Sequence, residues 1–322
     1  MRMCKTILTA LVSTASILSL HAQTPAWQPA AGHTQIPIWP NGAPGGVAAN
    51  APAEVDTTTA KEQLIAGRPL IRLGNVSVPT ITLYAPKNAK GNTPAVVVFP
   101  GGGYQILAID LEGTEVCDWL NSAGIACVLL KYRVPGSGPY PKSSAALQDA
   151  QRAVGLVRQH AADWHVDPHR VGVLGFSAGG HLAAAISTHF DKRLYEPVDA
   201  ADQLSCRPDF AVVVYPGYLA LDEHNKETNR DVSPTKANPE INPTAQTPPT
   251  ILVQAEDDPV HVENATTYFL QLKNAHVPAE LHVYAEGGHG YGLRRTALPI
   301  TTWPKTVELW LHTIHVLGAP QH

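Results

Sequence analysis

Basic residues are few in this 322-residue chain, 23 Lys and Arg against 27 Asp and Glu, and they form no polybasic run. A net charge of -4 and a pI near 6.4 give no footing for nucleic acid or an anionic membrane surface. Cysteine is scarcer still, four in all, which is too thin for a disulfide framework. No internal repeat and no second apolar core divide the chain, so its length is read as one large domain. Charged residues make up 16% and hydrophobic ones 44%, an ordinary globular balance that excludes wholesale disorder.

The first residues are of another kind. MRMCK carries two positive charges, and the apolar run TILTALVSTASILSL follows, ending at His21-Ala22-Gln23. This pattern predicts a secretory signal peptide over 1–22, cleaved near Ala22, and a secreted or periplasmic protein. The run is too short and wrongly flanked for a membrane span, so no membrane association is expected once it is removed. Without Arg2 and Lys5 the chain has 21 basic residues and a charge of -6. Of the cysteines that remain, Cys117 falls on a predicted helix and Cys127 on the strand after it. Their apolar neighbours point to buried thiols, with one disulfide left open in an oxidising compartment. Cys206 completes the odd set, and none has the setting of a nucleophile.

From 23 to 66 the chain is rich in Pro, Gly, Ala and Thr without a sustained period, which reads as an extended N-terminal arm. From 67 to 322, apolar runs alternate with helical patterns. Strands are predicted at 80–86, 95–100, 126–135, 171–175, 211–216, 250–255 and 280–286. Helices are predicted at 110–124, 147–164, after Ser177, around 261–275 and around 304–316. Short, almost uniformly apolar strands alternating with helices imply an α/β fold with a mostly parallel central sheet and helices on both faces.

The chemistry centres on VLGFSAGGHLAAA, 173–185. A strand runs into Gly175-Phe176-Ser177-Ala178-Gly179 and a helix continues, the strand–elbow–helix context in which a strained serine projects from the sheet edge. The helix N-terminus directs its free N–H groups to where an oxyanion would form. A serine hydroxyl needs a base, and the base an orienting acid. His289 lies in the glycine-rich loop after 280–286. Three acids, Glu256, Asp257 and Asp258, follow strand 250–255. Asp258 fits best, as the third residue after Ala255, with Asp257 and then Glu256 as alternatives. Both loops leave the carboxyl ends of strands, where open α/β sheets carry their sites. The second oxyanion donor is expected from Gly102 or Gly103 in PGGGY, 100–104, beside the Ala178 amide. His261, His282 and His181 read as structural. The acids near His261 and Glu263 lack a second ligand cluster at metal spacing, so neither a metal nor another cofactor is expected.

The chain resembles the α/β-hydrolase superfamily and, within it, the bacterial secreted acetyl-xylan-esterase-like carbohydrate esterases. The resemblance runs from about Ile36 to the C-terminus. Its marks include IWPNGAPG (38–45), PGGGYQILAIDLEG (100–113), DPHRVGVLGFSAGGHLA (167–183), PPTILVQAEDDPVHVENA (248–265) and AEGGHGYGLR (285–294). It implies a Ser177–Asp258–His289 triad that removes acetyl groups from xylan or its oligosaccharides. Pro100 stands where the family's HGGG-type loop has histidine, so that loop needs support from elsewhere.

The stretch 217–249 is polar and proline-rich, which predicts a small irregular lid over an open site. No surplus apolar segment is available to line a long acyl channel. Tyr104 and Gln105 are candidates for the acyl pocket, Tyr291 for the leaving group and Trp303 for packing or sugar stacking. Glu112 either binds a sugar hydroxyl or braces the glycine loop. The alternatives are a feruloyl or general short-chain carboxylesterase, a prolyl-oligopeptidase-like peptidase, or a catalytically silent carbohydrate-binding protein.

Overall fold

Strands of Val, Leu, Ile and Ala buried along their whole length build the core, as parallel strands covered on both faces must be. The computed structural model describes residues 27–318 apart from 48, 60–63, 88, 90, 222, 226–229 and 233–235. The expected signal segment 1–22 and Cys4 lie outside the described residues. In chain order the first elements are β1 (Gln35–Pro37), β2 (Val55–Asp56), β3 (Arg72–Gly74), β4 (Thr80–Tyr84), β5 (Thr93–Phe99), β6 (Ile106–Ala108), α1 (Glu115–Ser122) and β7 (Ala126–Lys131). Then come α2 (Ala145–Gln159), β8 (Val166–Phe176), α3 (Ala178–Thr188) and β9 (Ala211–Val214). The remainder are β10 (Glu223–Asn225), β11 (Arg230–Val232), β12 (Thr250–Ala255), α4 (Glu263–Asn274), β13 (Ala279–Tyr284) and α5 (Trp303–Thr313).

The main sheet has eight strands in the order β1-β4-β7-β5-β8-β9-β12-β13. It is parallel from β7 to β13, while β1 and β4 add an antiparallel edge. After β5 the chain crosses to β7 on one side, and after β8 it moves to β9 on the other. The carboxyl ends of β5 and β8 therefore flank the point where strand order reverses, the place where such sheets open a crevice. Their register pairs Phe99 with Gly175, so the glycine loop and the serine turn leave the sheet side by side.

The arm is part of this body. β1 pairs with β4, and Trp27, Ile38 and Trp39 are buried with the core. Two buried charges pin it. The indole N–H of Trp39 donates to Asp149 (2.8 Å), and Arg152 donates to the Ile38 carbonyl (2.9 Å). Burial pushes the Asp149 carboxyl up, opposed by the Arg133 guanidinium that donates to both its oxygens. A second small sheet, β2-β3-β6, lies beside the glycine loop. Within 217–249, β10 and β11 form a short hairpin.

The cysteines require a correction. Cys117 of α1 and Cys127 of β7 are joined in a disulfide rather than standing as separate thiols. Their apolar surroundings pointed to burial, but sequence alone did not show that α1 packs back over β7 at that register. Cys206 is a free, buried thiol bonded to the Phe190 carbonyl (3.3 Å), and burial raises its pKa.

Candidate active site

Ser177 is held at φ 51° and ψ -117°, a conformation that costs a non-glycine residue about 1–3 kcal/mol. The surroundings impose it: its amide donates to Val214 (3.1 Å), and its carbonyl accepts from Gly217 (3.2 Å) and His181 (3.1 Å). The flanking glycines have a steric reason. A Cβ on Gly175 would stand 1.9 Å from the Gly179 carbonyl oxygen, and one on Gly179 would stand 2.1 Å from that of Phe99. The G-x-S-x-G pattern is thus what lets α3 start hard against β5 and β8.

His289 and Asp258 come from the two loops expected. His289 Nε2 lies 2.8 Å from Ser177 Oγ, and His289 Nδ1 lies 2.8 Å from Asp258 Oδ2. Asp258 is buried, and its other oxygen accepts from the Val260 amide (2.7 Å). An ionised carboxylate only accepts, so Nδ1 carries the hydrogen and Nε2 presents its lone pair to the serine hydroxyl. Asp257, the alternative acid, does something else. Its Oδ1 accepts from the amides of Gly287 and Gly288 (2.9 and 2.7 Å), fixing the loop that presents His289. Among the described residues no group of three His, Cys, Asp or Glu side chains is placed to hold a metal ion.

The amides of Gly102, Gly103 and Ala178 donate to no other group among the described residues. The glycine loop has the outside support that Pro100 leaves it needing. Glu112 Oε2 accepts from Gly101 N (2.6 Å), and Oε1 accepts from the Tyr215 hydroxyl (2.8 Å), which itself accepts from Gly292 N (3.2 Å). The chain Gly101–Glu112–Tyr215–Gly292 ties the glycine loop to the stretch just after His289. Burial raises the Glu112 carboxyl, and the hydrogen bonds from Tyr215 and Gly101 oppose that rise. The Tyr132 hydroxyl donates to the Pro100 carbonyl (2.6 Å), and Tyr104 is bonded through its hydroxyl to His181 Nδ1 (2.8 Å).

His181 is fully buried behind the serine, and burial lowers its pKa to about 3. Its unfolded value is near 6.5, so the unfolded chain binds the extra proton first. The stability this neutral histidine contributes is whole above pH 6.5 and is lost as pH falls from there toward 3. At pH 5 this group alone is expected to remove about 2 kcal/mol relative to pH 7. Urea unfolding at the two pH values checks it. His181→Gln, which keeps an acceptor for Tyr104, should flatten that part of the slope.

An open cleft of about 740 Å³ lies over Ser177 and His289. It is lined by the glycine loop, Leu111 and Glu112, and by a wall of Ile65, Leu70 and Arg72 from the chain before β4. Those wall residues were not anticipated, because the stretch before β3 has no period to announce a role. Arg294 holds the wall in place. Its guanidinium, almost wholly buried, donates to the carbonyls of Arg68 and Pro69 (2.9 and 2.8 Å) and pairs with Asp110 and Glu115. The motif AEGGHGYGLR ends on this arginine, which was the available signal.

Several candidates fall elsewhere. Trp303 is fully buried and packs edge-on against Trp119 and Phe176, with its N–H on the Gly292 carbonyl, so it offers no stacking face. Tyr291 is buried edge-on against Tyr215 and lies outside the cleft lining. Tyr104 is buried behind the glycine loop, and exposed Gln105 bonds the Gly136 carbonyl (3.0 Å) away from that lining. Glu112 has both oxygens engaged in bracing the loop.

A family model described as the α/β hydrolase fold matches residues 96–293. The chain belongs to the α/β hydrolases. This α/β hydrolase is 32% identical over 225 residues to an acetylxylan esterase of Xylanibacter ruminicola, covering 65% of the chain and 43% of that protein. It is 29% identical over 210 residues to endo-1,4-beta-xylanase B of Butyrivibrio fibrisolvens, covering 61% of the chain and 32% of the other. The chain thus spans less than half the length of these curated relatives. A solved structure, an acetyl ester-xyloside bifunctional hydrolase from Caldicellulosiruptor lactoaceticus, is 34% identical. It matches 88% of this chain and 97% of its own with a TM-score of 0.67.

Proposed function

We propose that this chain is a secreted serine esterase that removes acetyl groups from xylan or xylo-oligosaccharides through an acyl-enzyme. The observation that carries the reading is the continuous relay from Ser177 Oγ through His289 to buried Asp258, opening onto three unengaged amides. His289 Nε2 takes the serine proton as Oγ attacks the ester carbonyl, and the amides of Gly102 or Gly103 and Ala178 hold the oxyanion. His289 then gives the proton to the departing sugar oxygen. Water, deprotonated by the same nitrogen, releases acetate and restores the serine.

The xylan assignment is supported by the acetylxylan esterase relative and by the acetyl ester-xyloside hydrolase neighbour. An open cleft suits an oligosaccharide, whose ends extend beyond the site, better than a buried lipid chain. The signal-like leader and the Cys117–Cys127 disulfide both favour an oxidising compartment outside the cytoplasm. The test is acetate release from acetylated xylo-oligosaccharides, run beside ferulate release from feruloylated arabinoxylan, with Ser177→Ala as control. Serine-dependent acetate release is expected. Ferulate release alone overturns the substrate, and release unaffected by Ser177→Ala overturns the mechanism.

A further inference from the structure

We propose that Tyr218 sets the upper limit on acyl length, walling the acyl side of the site so that acetyl fits and longer chains are excluded. The inference rests on the esterase reading and names a specificity-determining residue within it. It starts from the three directions available around the carbon bonded to Ser177 Oγ. The oxyanion points to the amides of Gly102, Gly103 and Ala178. The leaving oxygen points to His289 Nε2, the nitrogen that faces Ser177 Oγ at 2.8 Å. The acyl substituent takes the remaining direction, past Gly103 and away from His289.

Tyr218 stands there. Beyond Gly103's own chain neighbours, the Tyr218 hydroxyl is the one atom among the described residues within 4 Å of a Cβ built on Gly103, at 3.9 Å. The residue before it donates its amide to the Ser177 carbonyl (3.2 Å), which fixes Tyr218 beside the serine turn. Its ring lies 6.1 Å from that of Tyr104 and 6.0 Å from that of His181, the buried pair behind the glycine loop. The ring is backed on that side and remains 38% exposed.

Its backbone is held against preference. Tyr218 has φ 59°, a region that side-chain-bearing residues rarely adopt. Buried Asn264 enforces it by accepting from the amides of both Leu219 and Ala220 (2.8 and 2.9 Å). Asn238 donates to the Tyr218 carbonyl (2.9 Å). Strained residues over-determined by their surroundings gather at ligand clamps, and here the strain holds a ring beside Gly103 of the glycine loop, just beyond the residues that line the cleft.

The test is kcat/KM for p-nitrophenyl acetate, butanoate and hexanoate with the wild type, Tyr218→Gly and Tyr218→Phe. Glycine suits a positive φ, so the first variant removes the ring without opposing the backbone. The wild type should favour acetate, and Tyr218→Gly should raise the butanoate-to-acetate ratio by about tenfold or more, on the scale of methylene discrimination in pockets. Tyr218→Phe keeps the ring and should keep the wild-type ratio. A purely structural role would lower all three esters together, and a ratio within about twofold of wild type in Tyr218→Gly overturns the inference. A phenylalanine variant that shifts the ratio as far as glycine does overturns it too. If the wild type cleaves none of the three esters, the esterase reading itself fails and the inference with it.

Discussion

Ser177→Ala is expected to lower kcat by about a millionfold while the chain stays folded. Alanine at 177 keeps the backbone bonds to Val214, Gly217 and His181, none of which involves the hydroxyl. What is lost is the oxygen placed 2.8 Å from His289 Nε2. The amides of Gly102, Gly103 and Ala178 persist, so a residual rate of about a thousandfold over water is expected from oxyanion binding alone. His289→Ala should cost a similar factor, and the double variant scarcely more, because the pair acts as a unit. Acetate release by the single and double variants, with circular dichroism to establish folding, checks this. Multiplicative losses in the double variant would mean that the two side chains act independently and would sink the relay.

The two neighbouring aspartates should part sharply. Asp258→Asn is expected to lower kcat by about ten thousandfold with little change in stability, because an amide holds the imidazole in the wrong tautomer. Asp258 Oδ2 receives the Nδ1 hydrogen only while it is a carboxylate, and the geometry changes little on amidation. Asp257→Asn touches a different thing. Its oxygen receives two backbone amides of the loop carrying His289, and an asparagine oxygen still accepts them, more weakly. A loss of about tenfold or less is expected there, that of a charge-assisted bond weakened to a neutral one. Steady-state kcat for both variants decides the matter. A larger loss at 257 than at 258 would reverse the assignment of the acid.

Why the acid was readable to within a residue, and the wall of the cleft was not, follows from how each is built. Long buried strands advertise themselves, and β5, β7, β8, β12 and β13 lie close to the runs that predict them. The serine turn is readable because its glycines are sterically forced by β5 and β8. Choosing Asp258 over Asp257 needed only a count from the end of β12. The arm offers nothing comparable: β1, β2 and β3 are two or three residues long, too short for a period to show. Tyr291 misled, and Trp303 stayed open between packing and stacking until the structure showed packing, because an aromatic residue near a site looks the same in sequence whether it faces the cleft or the core. The pairing of Cys117 with Cys127 depends on how a helix lies over the next strand, which no local pattern states.

Ile65, Leu70 and Arg72 lie outside the 96–293 stretch that defines the family, while Ser177, Asp258, His289 and the anchoring Arg294 lie within it or one residue beyond. The reacting groups and one wall of the space before them are therefore written on different stretches of the chain. A revision at Ile65, Leu70 or Arg72 leaves the bonds of the proton relay untouched. What such a revision must preserve is slight. Arg294 grips backbone carbonyls of Arg68 and Pro69, which every sequence supplies, so that grip asks nothing of their side chains.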